Sequence, residues 1–329
     1  ISLGAPGLQS MGSAAKIFKY ILQKLDDSES LYFPDGNASV ARLLVKKLIP
    51  AVTTDSVSFD NISTSVFNYE KLDHHEHSVR LRLNSTVVNV KEDGNGSVYV
   101  NYVKNGEAFR VKSKHSILAC YNSIIPHLCP ELPEQQKEAI GYAEKVPFVW
   151  VNVHLSNGVA FSKINAKLIQ CPNDPFDVVT VSPPTTTGGY QPPTNSDDPV
   201  VLFLMGIPKF QVDANDSPRD IYKKGRQIIY TTSFETYEKQ IRSQLESLMG
   251  NYGFKQSDIL AITVNRWPHG YAYEYNSLHD PAWKEGEAPH EIGRAQFGRI
   301  SIANSDSEAS AYVNAAIDSA WRAVEEQTT

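Results

Sequence analysis

Four groupings of side chains have the types and spacing to do chemistry. His74, His75, Glu76 and His77 form the densest ligand-like run. Adjacent residues point to opposite faces of a strand and spread around a helix, so they converge poorly on one ion. The run reads as a solvated polar turn, and no metal site is expected. His127 and Cys129 flank Leu128 and could share a strand face, but no third ligand or orienting group follows them. In "NRWPHGYAYEYNS", Trp267, Tyr271, Tyr273 and Tyr275 fall within nine positions. Tyrosines spaced by one residue share a face if the chain is extended. Such a wall can hold a planar cofactor or a cation, at roughly 0.5–2 kcal/mol per contact. The competing reading is the aromatic edge of a core.

The fourth grouping is "GRISIANSDSEASAYVNAAIDSAWRAVEEQ", from Gly298. It reads as an apolar strand (Ile300 to Ala303), a polar turn (Asn304 to Ser310) and a small-residue helix (Ala311 to Glu326). A strand, turn and helix in this order direct free backbone N–H groups to the turn, where they can hold a phosphate or a carbonyl oxygen. Ala309, Ala311, Ala315 and Ala316 permit close approach. Asp306 would repel phosphate but can accept hydrogen bonds from sugar-type hydroxyls. A purely structural C-terminal helix is the alternative.

The remaining chain supplies elements to position these groups. Residues 1–12 read as a Gly-containing loop and 13–25 as a helix. The Pro34-Asp35-Gly36-Asn37 turn precedes a helix with Val40, Leu43, Leu44 and Leu48 on an apolar stripe, stopped by Pro50. From Val79 the period becomes two, and turns at Asp93-Gly94-Asn95-Gly96 and Asn105-Gly106 mark three antiparallel strands. A more apolar strand, Ser116 to Cys120, follows. "KVPFVWVNVHL" and "VVLFLMGIPKF" read as strands, separated by a Pro/Gly/Thr-rich excursion over a surface or pocket. "TSFETYEKQIRSQLESLMGNYGF" carries Phe234, Tyr237, Ile241, Leu245 and Leu248 on one helical face, between a Thr/Ser start and Gly250.

Composition narrows the classes. A chain of 329 residues with net charge -6 and scattered basic residues lacks the concentrated positive face of a nucleic-acid binder. Cys120, Cys129 and Cys171 make no framework or close metal pair. No apolar run spans a membrane, and the first residues are not a signal peptide. The chain does not start with methionine, so an upstream portion is expected, and periplasm and cytoplasm both stay open. The sequons at Asn37, Asn61, Asn84 and Asn95 are only permissive for glycosylation. H-E-x-x-H, G-x-S-x-G and Walker patterns are absent, and "GAPGLQSMGSAAK" lacks the G-x-G-x-x-G spacing and a leading strand.

At the C-terminal segment the chain resembles the flavin-containing amine oxidoreductases, with Ala-Asn-Ser-Asp and Ala-Tyr most like the spermidine dehydrogenase branch. "FPDGNASVARLLVKKLIP", "LNSTVVNVKEDG", "HSILACYNSIIPHL" and "NRWPHGYAY" resemble other family landmarks in the expected order. The resemblance implies a mixed α/β, FAD/NAD(P)-binding amine-oxidase-like fold, incomplete at its N-terminus, with an inserted mixed-sheet substrate domain. Residues 1–120 would belong to the FAD domain, 121–260 to the substrate domain and 261–329 to the C-terminal FAD segment. Asp306 would bond the ribityl region of FAD beside Asn304 and Ser305, Tyr312 and Val313 would begin the helix facing the ring carbonyl, and Val88 would lie beside the adenine. Trp267, Tyr271 and Tyr273 become substrate-side candidates, while no residue stands out as a catalytic base.

Asn304, Asp306 and Ala311 replace the family's usual Gly, Glu and Gly. The family's N-terminal βαβ unit with its Gly-rich pyrophosphate loop is not found, so an upstream portion or a complementary chain is expected to supply it. The implied reaction is oxidation of an amine, such as a polyamine, by hydride transfer to flavin N5, with the electron acceptor open. Two alternatives stand: an FAD-dependent α-amino-acid oxidase using Arg219, Arg226 or Arg266 to clamp a carboxylate, and a noncatalytic module derived from the fold.

Overall fold

The computed structural model describes residues 33–329, and the loop and helix expected at 1–12 and 13–25 lie outside them. Helix α1 (Ala38–Leu48) follows the Pro34–Asn37 turn, where Asp35 accepts from the Ser39 hydroxyl at 2.5 Å. Its expected stripe is only partly covered: Val40 and Leu43 are half-buried, while Leu44 and Leu48 are 53% and 56% exposed. Val45 packs against Ile49, Val52 and Leu72, and cations add to the hold, Arg42 donating to the Ile62 carbonyl at 3.2 Å and Lys46 to the Pro50 carbonyl at 2.8 Å. His74 to His77 form a turn closed by the His77 amide on the His74 carbonyl.

Strands β1 (Thr86–Glu92), β2 (Val98–Lys104) and β3 (Glu107–Ser113) make the antiparallel meander that the alternation and the Asn-Gly turn foretold. Register slips between Val87 and Asn89, so Val88 is a bulge residue left out of the ladder, with its side chain 49% exposed. Strand β4 is shorter than expected (Ser116–Leu118), because Cys120 turns away into a helical turn and α2 (Ile125–Leu128). Helix α3 (Glu134–Tyr142) closes this first region.

The second region opens with β5 (Phe148–Leu155), α4 (Val159–Ile164), β6 (Leu168–Gln170), β7 (Val178–Val181) and β8 (Val200–Gly206). Helices α5 (Pro218–Thr231) and α6 (Phe234–Met249) and strand β9 (Ile259–Trp267) complete it. The strands form one antiparallel sheet in the order β6-β7-β8-β5-β9. Alternate residues Val149, Val151, Val153 and Leu155 of β5 meet Leu202 and Leu204 of β8 and Ile241 and Leu245 of α6 in one core. Ser233 caps α6 by accepting from the Thr236 amide, and buried Gln244 stitches the helix to both backbone groups of Phe176. One expected face residue falls outside the core: Phe234, in the first turn, is 48% exposed. The Pro/Thr-rich excursion is irregular and docks through Gly188, whose positive φ of 74° and close approach to Ser63 leave no room for a side chain.

After α7 (Pro289–Gly293), strand β10 (Ile300–Ile302) pairs in parallel with β4, and α8 (Val313–Thr328) lies back across it. Ile300 and Ile302 share a core with Leu118, Ile125, Leu132 and Ile140, so the segment after β4 packs with the β4–β10 pair. The larger sheet core carries past residue 260 through β9. Gln327 fastens α8 by bonding Ser301 at 2.8 Å and His115 at 2.7 Å.

This packing predicts unequal costs along α6. Ile241→Ala should destabilise the protein by about 2–5 kcal/mol, as a fully buried large-to-small change does. Phe234→Ala should cost less than about 1 kcal/mol, measured by urea denaturation of both variants.

Candidate functional site

Strands β4 and β10 run in parallel, so their carboxyl ends open at the same edge. Loops at such ends are where ligands bind in α/β sheets, because the following helix start directs free amides there. Here the β4 loop brings Tyr121 and Asn122, and the β10 loop brings Asn304, Ser305 and Asp306. Asn304 ties the two loops together, donating to the Cys120 carbonyl and, at 2.9 Å, to Asn122 Oδ1, while its own Oδ1 accepts from the Asp306 amide at 2.6 Å.

Asp306 is buried at 3% exposure, not presented at an open turn as its sequence position suggested. The Asn122 amide donates to its Oδ2 at 3.0 Å, and Lys145 Nζ lies 2.6 Å from its Oδ1 as an ion contact. Lys145 is equally buried and sits 3.8 Å above the Tyr121 ring. A buried carboxylate persists only when paired and hydrogen-bonded, and the amide, the ammonium and the ring provide that. Beyond Asp306 the chain turns through Ala309, a non-glycine residue at φ 45°, and Glu274 accepts from the Ala311 amide at 3.1 Å.

Helix α8 then begins at Val313 behind Tyr312, which gives it no side-chain cap. Tyr312 and Val313, at the start of this 16-residue helix, are 43% and 39% exposed, and Ser305 is half-buried.

The aromatic stretch divides into two clusters. Trp267 and Tyr271 both stack on Phe148, with ring centroids 6.1 and 5.3 Å away. Burial, then the neighbouring Tyr312 hydroxyl, pushes the Tyr271 phenol up. Tyr273 turns elsewhere and donates to Asp280 at 2.6 Å, as does Tyr142, while Arg219 lies 3.2 Å from the same carboxylate. Tyr275 packs against Trp283 and His290 in this second cluster. The three tyrosines do not share a face because residues 268–276 form a loop rather than a strand.

That loop is clamped at both sides of His269. Pro268 accepts from Arg226 Nε at 2.9 Å, and the Gly270 amide donates to the Val146 carbonyl at 2.9 Å. A Cβ on Gly270 would lie 2.5 Å from that carbonyl and from the Phe148 ring, so only glycine fits. His269 thus faces Tyr121 at 6.5 Å, and burial ahead of the Arg226 and Lys145 charges holds its pKa below the usual range.

Val88, expected near the site, lies on the bulge of β1. The arginines weighed as carboxylate clamps are otherwise engaged: Arg219 with Asp280, Arg226 with Glu144, and Arg266 against the Thr232 carbonyl at 3.4 Å. Lys145, Tyr121, Asn122 and His269 escaped sequence reasoning. Lys145 stands alone before an apolar strand, and its partner is 161 positions away by numbering, which no local pattern reveals.

No protein-family model and no curated sequence matches the chain. Solved structures do share its fold. One is a putrescine oxidase variant from a structure-based redesign of cofactor binding, 16% identical, with TM-score 0.51 over 74% of this chain and 48% of that one. Another is cyclohexylamine oxidase from Brevibacterium oxydans IH-35A, 10% identical, with TM-score 0.50 over 73% and 47%. The chain spans about half the length of these structures, and at such identity the likeness is one of fold: a mixed α/β, amine-oxidase-like architecture.

Two stability tests follow from the site. Lys145→Met leaves the Asp306 charge buried without its partner and should cost about 3–5 kcal/mol; adding Asp306→Leu should restore more than half of it, read as a double-mutant cycle in urea. His269 and His290 both have pKa values lowered chiefly by burial. The unfolded chain therefore takes up protons first, near pH 6.5, so their contribution is complete above that pH and is lost as pH falls toward the folded values. Thermal unfolding followed from pH 7 to 5 should show that decline, with a shallower slope in His290→Gln.

Proposed function

We propose that this chain is part of an FAD-dependent amine oxidoreductase. The observation carrying the reading is the convergence of two parallel strand ends on a buried Lys145–Asp306 pair beside an uncapped α8 start. These groups fit a flavin in chemical kind: amide donors for carbonyl oxygens, and polar side chains for a polyol. Ser305, Tyr312 and Val313 would face the ring and ribityl side, and Asn304 with Asp306 would set the loop that holds it. Val88 would meet the adenine, where the bulge leaves backbone groups outside the ladder. When bound, FAD supplies the acceptor for a hydride equivalent from the carbon beside the amine nitrogen.

The chain's own residues would govern the amine. Trp267 and Tyr271 form the wall nearest Tyr312 and favour an aliphatic or cationic chain by apolar contact and ring-face attraction. Tyr273 contributes from behind, holding the loop through Asp280. Pairing with Asp306 offsets the Lys145 charge, which lowers the electrostatic penalty for an incoming amine. The reading includes a Gly-rich pyrophosphate-binding unit contributed by an upstream portion or a complementary chain. A polyamine such as spermidine is the substrate class this reading favours. The amino-acid oxidase alternative is weaker, since Arg219 and Arg226 are already neutralised and Arg266 lies on the helix-covered side of β9.

In the complete polypeptide, anaerobic mixing with an amine panel should bleach the flavin absorbance, and an oxidised spectrum unchanged by every amine would refute amine oxidation. Asp306→Ala should weaken FAD retention well beyond Asp177→Ala, since the Asp177 side chain engages Lys209 and the Ile207 amide, away from the strand ends. Equal retention would remove Asp306 from the cofactor site.

A further inference from the structure

Four charged side chains are buried among the described residues: Lys145, Glu274, Asp280 and Asp306. Lys145 and Asp306 neutralise each other, and Asp280 faces Arg219. Glu274, at 8% exposure, lies between Tyr273 and Tyr275 in the aromatic loop and accepts from a main-chain amide, that of Ala311, at 3.1 Å. Taking a carboxylate out of water is costly unless its oxygens are bonded, so an apolar side chain would fill this place at less cost. The carboxylate marks an acceptor that the backbone opposite requires.

What it grips explains the requirement. Ala311 immediately precedes Tyr312, the N-cap residue of α8, which offers the helix no side-chain cap, and the first turn of α8 holds no acidic residue. The chain reaches that point through Ala309 at φ 45°, with the Ser310 amide on the Ser305 carbonyl at 3.3 Å. Glu274 thus brings from the aromatic loop an acceptor that the local sequence lacks. The loop is held on its other side as well. Tyr273 donates to Asp280 at 2.6 Å, the Asn276 amide donates to the same carboxylate at 2.7 Å, and the His290 amide donates to the Tyr275 hydroxyl at 3.0 Å. With both neighbours of Glu274 anchored, the reach of one side chain sets the distance between the loop and the start of α8. Tyr271, three residues earlier, stands beside Tyr312 on the same seam.

We infer that Glu274 is a positioning residue: its bond to the Ala311 amide fixes the amine-side ring of Tyr271 against the cofactor-side turn of residues 305–312. The inference rests on the flavin amine reading of the site, and it gives Glu274 no contact with amine or cofactor. Reaction between two bound partners depends steeply on their separation, and a misplacement of about 1 Å costs on the order of a hundredfold in rate. Affinity depends on that separation far less, since each partner keeps its own wall.

Glu274→Ala and Glu274→Gln separate the acceptor from the charge, because Gln keeps a carbonyl oxygen for the amide and loses the charge. Hydrogen exchange of the peptide spanning residues 309–313, followed by mass spectrometry in the complete polypeptide, reads the bond without any ligand. Exchange there should be about tenfold faster in Glu274→Ala than in wild type or Glu274→Gln. In the FAD-loaded polypeptide, the limiting rate of flavin reduction by spermidine should fall on the order of a hundredfold in Glu274→Ala, with the amine dissociation constant nearly unchanged. Glu274→Gln should restore the rate, together with the visible circular dichroism of the bound flavin that Glu274→Ala alters. A purely structural staple would lower stability in urea without splitting rate from affinity. A wild-type rate and dichroism in Glu274→Ala, or a Glu274→Gln variant as impaired as Glu274→Ala, overturns the proposal. A wild-type polypeptide that no amine reduces sinks the oxidase reading, and the exchange and dichroism comparisons then still decide the role of Glu274.

Discussion

The ion pair between Lys145 and Asp306 is the constraint around which the described structure is arranged. Neither charge can stay buried without the other, so the loop after β10 must meet the segment leading into β5. That contact joins two hydrophobic cores that otherwise belong to different sheets. Asn122 and Asn304 then have defined places, because the carboxylate and the two strand-end loops require donors there. The backbone follows the same logic at Gly270, where the aromatic loop presses against Val146 and Phe148 immediately after Lys145.

The proposed function rests on the same arrangement. A pair of parallel strands supplies polar loop ends, while an antiparallel sheet supplies an edge that ends in the aromatic rings of Phe148, Trp267 and Tyr271. The buried pair sets the two elements side by side. The aromatic loop after β9 bridges them, with Tyr271 on the open side and Tyr273 anchored to Asp280 behind.

Much of this was legible in sequence where the signal is local. The meander with its Asn-Gly turn, the capped α6 and the strand-turn-helix terminus all carry their own periodicity and end signals. The misreadings share a cause in tertiary context. The stripe of α1 has the right period, yet Leu44 and Leu48 are exposed, because periodicity states which face is apolar and not what covers it. Tyr271 and Tyr273 were grouped by spacing, but the loop is not extended and sends them to separate clusters. Asp306 was recognised as a polar turn residue while its burial was not, since that depends on Lys145, a residue without local signature. Parallel pairing of β4 with β10 joins segments far apart in sequence and has no local mark either.

The most direct measurement is a crystal structure of the complete polypeptide grown with FAD. The account predicts a flavin lying across the carboxyl ends of β4 and β10, against residues 304–306 and the start of α8. A flavin bound elsewhere, or a saturating FAD soak that leaves these strand ends empty, would contradict it.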